Sequence, residues 1–341
     1  MKNQFLIKLR IIKIKYLKEG EHMVKAKKNV AFRNNIQSYR YLSPAIISIA
    51  ILSILPILYT IFISFTNYTL KNQNYGYGTA NGWKIVGLYQ FQQVLAGPLK
   101  SEFFPLLGWT LLYTTVATLG TFIVGLGFAM ALRDKNMKES FIYKGLLVIP
   151  WALPGAITII SFRGLFNSQY GAINNMLMQF NLIQDPILWL TTPMAARVAV
   201  IIVSLWLGFP YMMNICIGAL TAIPDTYYEA ADIDGASRWQ KFRKITLPSL
   251  ANVSYPLLIS NFAFNFNNFN SAYLLTDGGP SRAGSSFAGW TDIIGSAAYK
   301  MSLDKGNFGL GAAMSILIFV IIGTLSIINM KLSGQFKEVE E

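Results

Sequence analysis

Three asparagines interrupt an apolar stretch of the chain at intervals that bring their side chains to one face of a helix. Asn261, Asn265 and Asn268 stand at positions i, i+4 and i+7 of that stretch. Aromatic residues occupy the adjoining face: Phe262, Phe266, Phe269 and Tyr273. Amides donate and accept hydrogen bonds, and rings pack on the apolar face of a sugar, so the pattern suits a neutral polyhydroxylated ligand. The same spacing fits hydrogen bonding and ring packing between helices equally well.

A second group of residues, in the preceding apolar stretch, follows the same helical repeat. Ser204, Leu207, Gly208 and Tyr211 stand at i, i+3, i+4 and i+7. Gly208 removes bulk, and Tyr211 supplies a ring with a hydroxyl. Such a face would add a second wall to a binding site. Spacing alone favours the simpler interpretation, which is ordinary packing between helices.

The longest concentration of charge between apolar stretches is the segment 229–248. It predicts two short helices. The first carries the small residues Ala230 and Ala231 directly after Glu229. It stops at Gly235, a residue that tolerates the left-handed backbone closing a helix. The second ends before Pro248. A hairpin of this size, with small residues beside a carboxylate, fits a groove on a partner protein.

The residue types needed for several other kinds of chemistry are missing from the sequence. The single histidine is His22, in a basic tail, and the single cysteine is Cys216, in an apolar run. Neither a histidine-based catalytic group nor a cysteine metal site or disulfide is therefore available. No Gly-x-x-x-x-Gly-Lys-Ser/Thr phosphate loop occurs, and no apolar run contains Asp or Glu. The sequence predicts no catalytic residues and no metal site. The absence of membrane carboxylates and of a phosphate loop argues for a motor supplied by another protein.

Composition identifies the class of protein that positions these residues. The chain is 53% apolar and 13% charged, with a mean hydropathy of +0.41, whereas a soluble domain has about 25% charged residues. Long apolar runs predict an all-α integral membrane protein with six transmembrane helices. The predicted spans lie at about residues 43–66, 105–132, 143–162, 194–220, 250–275 and 308–332. Pro150 and Pro154 break the third span, and a short helix is expected near residues 172–179 in the loop that follows.

The distribution of Lys and Arg predicts the side of the membrane on which each loop lies. With the N-terminus in the cytoplasm, 21 of the 29 Lys and Arg residues are inside: eleven in the tail, four in each of two loops and two at the C-terminus. Orientation thus explains the net charge of +13 without nucleic acid as a partner. The segment 229–248 and both termini are predicted in the cytoplasm.

Three regions follow from these spans. They are a basic cytoplasmic tail over 1–41, a transmembrane domain over 42–335 with a coupling loop at 221–248, and a cytoplasmic tail over 336–341. The first tail contains a second candidate start. A purine-rich ribosome-binding sequence can encode Lys18-Glu19-Gly20, and Met23 follows at a suitable distance. We hypothesise that the natural chain begins at Met23, with residues 1–22 upstream of it.

The spacing within the segment 229–248 resembles a known signature. Glu-Ala-Ala at 229–231, Gly235 and Ile-Thr-Leu-Pro at 245–248 are spaced as in the EAA loop of ABC importer permeases. In that family the loop is cytoplasmic and docks into a cleft of an ATPase subunit. The resemblance implies the type I ABC importer permease fold with cytoplasmic EAA coupling helices. It assigns the coupling role to four residues: Glu229, Ala230, Ala231 and Gly235.

A second resemblance covers nearly all of residues 40–335. Trp-Leu-Gly-Phe-Pro-Tyr-Met-Met at 206–213, Phe-Ala-Phe-Asn-Phe-Asn-Asn-Phe at 262–269 and Leu-Leu-Thr-Asp-Gly-Gly-Pro at 274–280 are similar to maltose/maltodextrin permeases of the MalF type. In that family the sugar lies about halfway across the membrane. The residues that hold it match six positions here: Leu207, Gly208, Tyr211, Phe264, Asn265 and Asn268.

Three further sugar contacts of that family have changed in this sequence. A tyrosine of the broken third span is Trp151, a serine four residues later is Gly155, and an asparagine of the fourth span is Ser204. The changes keep an aromatic ring but remove or shorten polar groups that could form hydrogen bonds with a sugar. They leave the identity and the length of the sugar open.

The resemblance also implies a function and a set of partners. The chain would be a transport subunit, not an enzyme, that moves maltose/maltodextrin-type oligosaccharides into the cytoplasm by alternating access. Its partners would be a second, MalG-like permease subunit, an ATPase dimer that binds ATP and Mg²⁺, an extracytoplasmic sugar-binding protein and membrane lipid. The alternative substrate is another oligosaccharide, such as a galacto-oligosaccharide. Rivals from other classes are a membrane-bound enzyme, for which catalytic groupings are missing, and a passive channel.

Overall fold

The structure, a computed structural model, describes residues 40–133, 137–285 and 287–332. Its regular elements are all helical, and β-structure in these residues is limited to three isolated bridges in loops. The predicted all-α class is therefore confirmed. The predicted tails lie almost entirely outside the described residues, and so do the proposed start at Met23 and the segment before it.

Thirteen α-helices are numbered here in chain order for the described residues. They are α1 Arg40–Ser64, α2 Tyr89–Leu95, α3 Lys100–Leu132, α4 Ser140–Ala152, α5 Gly155–Leu165, α6 Ala172–Gln179, α7 Pro193–Thr221, α8 Asp225–Ile233, α9 Arg238–Lys241, α10 Leu247–Asn267, α11 Asn270–Thr276, α12 Ile294–Leu303 and α13 Phe308–Leu332. Helix α1 contains a π turn at Ala50–Ile54, and a second π turn, Phe242–Thr246, joins α9 to α10. The short helix expected near residues 172–179 is α6.

The chain divides into two compact units, residues 1–60 and 61–341. In the first unit, the described part is the apolar helix α1 up to Thr60, in which Ser48 Oγ donates to the Pro44 carbonyl at 2.8 Å. The second unit contains all the other helices. The site residues predicted from the sequence belong to this second unit.

Four of the six predicted spans have the length and apolar character needed to cross a bilayer, namely α1, α3, α7 and α13 among the described residues. Helices α4 and α5 meet the test only as a pair, with a bend of 91° at the break between them, and make a fifth span if the pair crosses as one. The sixth candidate, predicted over residues 250–275, is not among them. Its asparagines lower its hydropathy, and it is not continuous, because α10 ends at Asn267 and α11 begins at Asn270. A count of six spans is thus not established.

The second short helix of the segment 229–248 was predicted to end before Pro248, and this prediction is wrong. Helix α9 passes through the π turn directly into α10, so the backbone stays helical from Arg238 to Asn267. The wider turn allows the Leu247 N–H to reach the Phe242 carbonyl. Proline lacks an N–H and crowds the preceding turn of an α-helix, and a π turn is one way of relieving that conflict.

Helix α3 is the element around which the second unit packs. Its buried residues contribute to three hydrophobic clusters, near its start (Phe103, Leu106), its middle (Trp109, Tyr113) and its end (Leu126). Helix α7 packs along it through the middle and end clusters. At 1.5 Å per residue, α3 is about 50 Å long, so these clusters lie at different depths of the bundle.

Helices α3 and α7 are in close contact at Gly125. A Cβ on this residue would lie 2.6 Å from the backbone nitrogen of Met213 and 2.9 Å from the backbone carbon of Met212. Backbone atoms have little freedom to move away, so only glycine fits this contact. By contrast, Gly127 on the same helix has no atom within 4 Å of the corresponding position.

We predict that Gly125→Ala destabilises the protein by about 1–3 kcal/mol, because the added methyl group forces α3 and α7 apart. The thermal midpoint of the purified protein in detergent should fall by several degrees. The matched control Gly127→Ala should leave it unchanged or slightly higher, because alanine favours a helix by about 1 kcal/mol over glycine. Equal midpoints for the two variants would show that the helices are not in contact at Gly125.

Candidate functional site

Two helix breaks face each other in the second unit. The chain bends between α4 and α5 at Leu153, whose backbone is extended, and it leaves the helical conformation between α10 and α11 at Asn268, with ψ at 92°. The halves that follow the breaks, α5 and α11, pack together. Non-helical backbone at membrane depth is tolerated where it is buried in protein or borders a cavity. Here it borders a cavity.

The cavity has a volume of about 640 Å³ and lies beside the middle of α3, at Tyr113 and Thr121. Helices α4, α5, α7, α10 and α11 supply its other walls. All nine residues predicted to bind substrate line it: Trp151, Gly155, Ser204, Leu207, Gly208, Tyr211, Phe264, Asn265 and Asn268. Residues from four predicted spans, far apart in the sequence, therefore border one space. No lining residue carries a charge.

The asparagines of α10 serve helix packing and the cavity at the same time. Asn261 Nδ2 donates to Thr121 Oγ1 at 3.3 Å, and Asn265 Nδ2 donates to Thr118 Oγ1 at 3.0 Å. Both side chains also line the cavity. The two interpretations of their spacing are thus not exclusive, since one end of each amide holds α10 against α3.

Asn268 does not lie on the same helical face as the other two asparagines, as its spacing suggested. It follows the end of α10, and its Oδ1 accepts the backbone N–H of Asn270 at 3.2 Å. The side chain still lines the cavity because the helix break points it there. The break therefore places this amide, and helical periodicity does not.

The aromatic face predicted beside the asparagines packs in the protein core and does not line the cavity. Phe262 and Phe266 contact each other within the cluster at the start of α3. Phe269 and Tyr273 contact Tyr299 of α12, with ring centroids 5.4 and 5.3 Å from that ring. The prediction is wrong here because it assumed one continuous helix from Phe262 to Tyr273, whereas the helix breaks at Asn268.

Other rings provide the aromatic surface of the cavity. Trp151 and Tyr211 lie side by side, with centroids 6.2 Å apart and planes tilted by 34°. Phe264 is 61% exposed and lines the same space. These three rings, together with the asparagines, are the combination of flat apolar surfaces and neutral hydrogen-bonding groups that a sugar requires.

The wall formed by α7 is held by two contacts with α3. Tyr113 Oη and Ser204 Oγ are 2.8 Å apart, and Ser204 Oγ also donates to the Val200 carbonyl at 2.9 Å. A Cβ on Gly208 would lie 2.7 Å from Thr121 Cγ2, so the absence of a side chain allows this approach. The hydroxyl of Ser204 is therefore largely engaged by protein groups.

Several residues that line the cavity were not identified from the sequence. They include Tyr113, Thr121, Ile159, Ser260, Asn270 and Ser271. One signal was present, because Thr110, Thr114, Thr118 and Thr121 repeat on one face of an otherwise apolar span. Which helix this face meets is decided by packing between residues about 140 positions apart.

The segment 229–248 begins as a helical hairpin with an exposed face. Gly235 has φ at 72°, the left-handed conformation expected for the residue that closes α8. Glu229 and Ala230 are exposed, and Ala231 is half-buried. Beyond the turn, Ser237 and Gln240 form a reciprocal capping box at the start of α9. Lys241 pairs with Asp232, which ties α9 to α8.

A polar network connects this hairpin to the end of α3. Arg133 donates to Tyr228 Oη at 3.1 Å, pairs with Asp225 at 3.4 Å and lies over the Tyr228 ring. Tyr228 Oη is in turn 2.9 Å from Thr246 Oγ1 in the π turn. The inner side of the hairpin is thus attached to the bundle. Its outer side leaves large apolar groups uncovered, with Ile233 88% and Trp239 66% exposed.

The described residues contain no group of three or more His, Cys, Asp or Glu side chains placed to hold a metal ion. The central cavity also lacks any acid or base in its lining. An uncharged lining suits a neutral molecule better than a charged one.

Comparisons with known proteins identify relatives of this chain. Residues 123–335 match the family described as "Binding-protein-dependent transport system inner membrane component". The galactooligosaccharides transport system permease protein GanP of Bacillus subtilis is 37% identical over 305 residues, which cover 89% of this chain and 72% of that protein. The maltose/maltodextrin transport system permease protein MalF of Klebsiella aerogenes is 42% identical over 261 residues, or 75% of this chain and 49% of that protein.

MalF of Escherichia coli K12 is 40% identical over 261 residues. The matched part of this chain spans about half the length of the MalF relatives. Among solved structures, a bacterial ABC transporter that imports the acidic polysaccharide alginate has a chain with a TM-score of 0.73 and 20% identity, which covers 89% of this chain. That level of identity supports the fold alone.

We predict that Thr118→Val costs about 1 kcal/mol of stability, because it leaves the half-buried Asn265 amide without its partner on α3. The thermal midpoint in detergent measures the effect. Thr114→Val is the matched control, one helical turn away. The hydroxyl of Thr114 is buried and has no hydrogen-bond partner in the described structure, so its removal should be nearly neutral. A second test is the double variant Thr118→Val/Asn265→Leu, which should recover part of the loss; no recovery would contradict the pairing.

Proposed function

Because the chain belongs to the family of binding-protein-dependent transport system inner membrane components, we propose that it carries a neutral oligosaccharide through the membrane as the permease subunit of an ATP-driven importer. It is a multi-pass transport component of an ABC importer and not an enzyme. The observation that carries the proposal is the uncharged cavity halfway along α3, lined by amides and rings from four predicted spans. Oligosaccharides offer hydroxyls to amides and apolar faces to rings.

The cavity favours a neutral sugar over an acidic one. A uronate would bring a carboxylate into a space without Lys or Arg, and burying an unpaired charge is costly. We propose a maltodextrin-type oligosaccharide as substrate. Support comes from the resemblance to MalF-type permeases, in which six contact residues have matches here. A galacto-oligosaccharide is the second candidate, since GanP, which matches over 89% of this chain, is named for that substrate.

Uptake measurements separate these two substrates. In cells whose only relevant transporter is this system, labelled maltotriose and galactobiose are compared, each in competition with the other. Maltotriose should be taken up and should outcompete galactobiose. Preference for galactobiose would move the assignment to the second candidate. Uptake that continued after ATP depletion would indicate a passive channel.

The coupling route in this proposal runs through one continuous helical segment. The hairpin containing Glu229, Ala230, Ala231 and Gly235 would dock into a cleft of a partner ATPase, with its exposed outer face against the partner. Helix α9 then continues through the π turn into α10, which carries Asn261 and Asn265. A displacement of the hairpin is thus transmitted directly to the cavity wall, as alternating access requires.

The assembly we propose has a second, MalG-like permease subunit, two ATPase subunits that bind ATP and Mg²⁺, and an extracytoplasmic sugar-binding protein. The hairpin, Arg133 and both termini would face the cytoplasm, consistent with the distribution of Lys and Arg. ATP binding would close the ATPase dimer and open the cavity outward to accept the sugar. Hydrolysis would then return it toward the cytoplasm.

We predict that Asn268→Ala reduces sugar uptake at least tenfold, because it removes the amide that the helix break places in the cavity. The matched control is Asn267→Ala. This neighbouring amide is exposed, donates to the Ala263 carbonyl and does not line the cavity. Uptake into cells or proteoliposomes is measured at equal amounts of assembled complex. Equal uptake by both variants would show that Asn268 has no role in substrate binding.

We predict that Glu229→Ala weakens the association with the ATPase or uncouples ATP hydrolysis from transport. Co-purification of the ATPase and the ratio of sugar transported to ATP hydrolysed are the two measurements. Glu139→Ala removes an exposed carboxylate at the start of α4, on the same side of the membrane in our orientation, and should leave both unchanged. Normal docking and coupling in the Glu229 variant would refute its assignment.

A further inference from the structure

A second cavity lies at the end of α3 opposite the hairpin. Its volume is about 470 Å³, within the range of about 300–1,000 Å³ typical of small-molecule sites. Loop residues after α1, the helix α2, the residues just before α3 and the start of α13 form its walls. The residues that line it are Asn67, Thr69, Asn72, Tyr89, Gln90, Gln93, Pro98, Leu99, Asn307 and Leu310. Five of these ten carry a carboxamide, and none carries a charge.

One of these amides belongs to a buried residue and leaves its oxygen without a partner. Gln90 is only 5% exposed, and its Nε2 donates to the Thr66 carbonyl at 2.9 Å. Its Oε1 has no hydrogen-bond partner among the described residues, and the side chain borders the cavity. Gln90 Oε1 is not among the buried polar atoms without a partner in the described residues, so it is accessible and can accept a hydrogen bond from a ligand or solvent in the cavity.

Other amides around the cavity are held in place by one end and free at the other. Asn67 Oδ1 accepts the Lys84 N–H at 2.6 Å, and Asn307 Oδ1 accepts the Leu310 N–H at 3.2 Å, which leaves the two Nδ2 groups as donors. The side-chain amide of Gln93 makes no hydrogen bond within the described structure. The amides of Asn67 and Asn307, which these bonds orient, need no rearrangement to bind a ligand.

The loop after α1, which forms one wall of this cavity, is held by its own hydrogen bonds. Both ends of the Asn72 amide are used, since Oδ1 accepts the Thr69 N–H at 2.8 Å and Nδ2 donates to the Asn67 carbonyl at 2.7 Å. Tyr89 is 51% exposed and presents its ring at the same cavity. A flat ring beside uncharged amides that donate and accept is the chemistry found in the central cavity. It suits the same class of ligand.

We infer that this cavity is a second carbohydrate site, an outer subsite that binds one end of a neutral oligosaccharide before it enters the central cavity. The inference rests on the proposed function, because the sugar class is carried over from the central site. In the proposed orientation the outer cavity opens on the extracytoplasmic side, where substrate arrives. Gln90 and Gln93 would supply hydrogen bonds to hydroxyls, and Tyr89 would pack on a sugar ring.

The test is a count of bound sugars. The complex, purified with the subunits that accompany the chain, is placed in lipid nanodiscs and titrated by equilibrium dialysis with radiolabelled maltotriose, and in parallel with galactobiose. We expect two molecules per copy of the chain. Asn268→Ala should weaken the central site at least tenfold and keep the outer one. Gln90→Met/Gln93→Leu should do the reverse.

Two further variants guard against misfolding. Gln92 is on the same helix but is exposed and does not line the cavity. The variant Gln92→Leu should therefore still bind two sugar molecules per chain. Tyr89→Ala removes only a half-exposed ring and should weaken the outer site several-fold even if the double variant is unstable. Unchanged binding in Tyr89→Ala and in the double variant would overturn the outer site.

The other outcomes separate the two proposals. One bound sugar per wild-type chain, lost in Asn268→Ala, would overturn the outer site and leave the proposed function intact. Binding of neither sugar by the wild type would count against the proposed function itself. If the outer variants weakened docking of the sugar-free binding protein tenfold and left sugar binding unchanged, the cavity would receive a protein segment, and the carbohydrate assignment would be wrong.

Discussion

The requirement that polar groups inside an apolar bundle have partners governs this structure. Helix α10 brings asparagines to the depth at which α3 carries threonines, and each amide can remain there because a hydroxyl receives its N–H. The same requirement explains the cavity. Broken backbone at Leu153 and Asn268 is acceptable because it borders open space and not lipid. The hydrogen bonds that hold the bundle together and the groups offered to a ligand thus belong to the same side chains.

Three functional regions lie along helix α3, each at a different level. The outer amide cavity lies at its start, the central cavity at its middle, and the network of Arg133 with Tyr228 at its end. A rigid helix fixes the distances between these levels. In the proposed coupling, movement is left to elements that cross α3. Helix α10 is continuous with α9 through the π turn and reaches from the hairpin to the central cavity. Its π turn, next to Pro248, is the irregular point of that connection.

Sequence reasoning succeeded where one local property determined the result. Apolar runs gave the membrane class, and Gly235 was recognised as the residue that closes a helix. The nine predicted substrate-binding residues came from the resemblance to MalF-type permeases; they line one cavity, and their role stays a prediction. It failed where regular helix was assumed to continue. The ring pattern from Phe262 to Tyr273 was treated as one face, but the break at Asn268 turns its two halves toward different neighbours. It also failed at Pro248, where the backbone adopts a π turn and the helix does not end.

The sequence by itself determined the class of protein, the approximate spans and the motif that marks the family, because transfer of side chains to lipid and local backbone preferences depend only on neighbouring residues. Only the tertiary structure decided which threonines pair with which asparagines, that Tyr113 and Thr121 join the cavity, and that an outer amide cavity forms around Gln90. Those features depend on contacts between segments far apart in the chain. Their free energies are set by how the helices pack, and no local pattern records that packing.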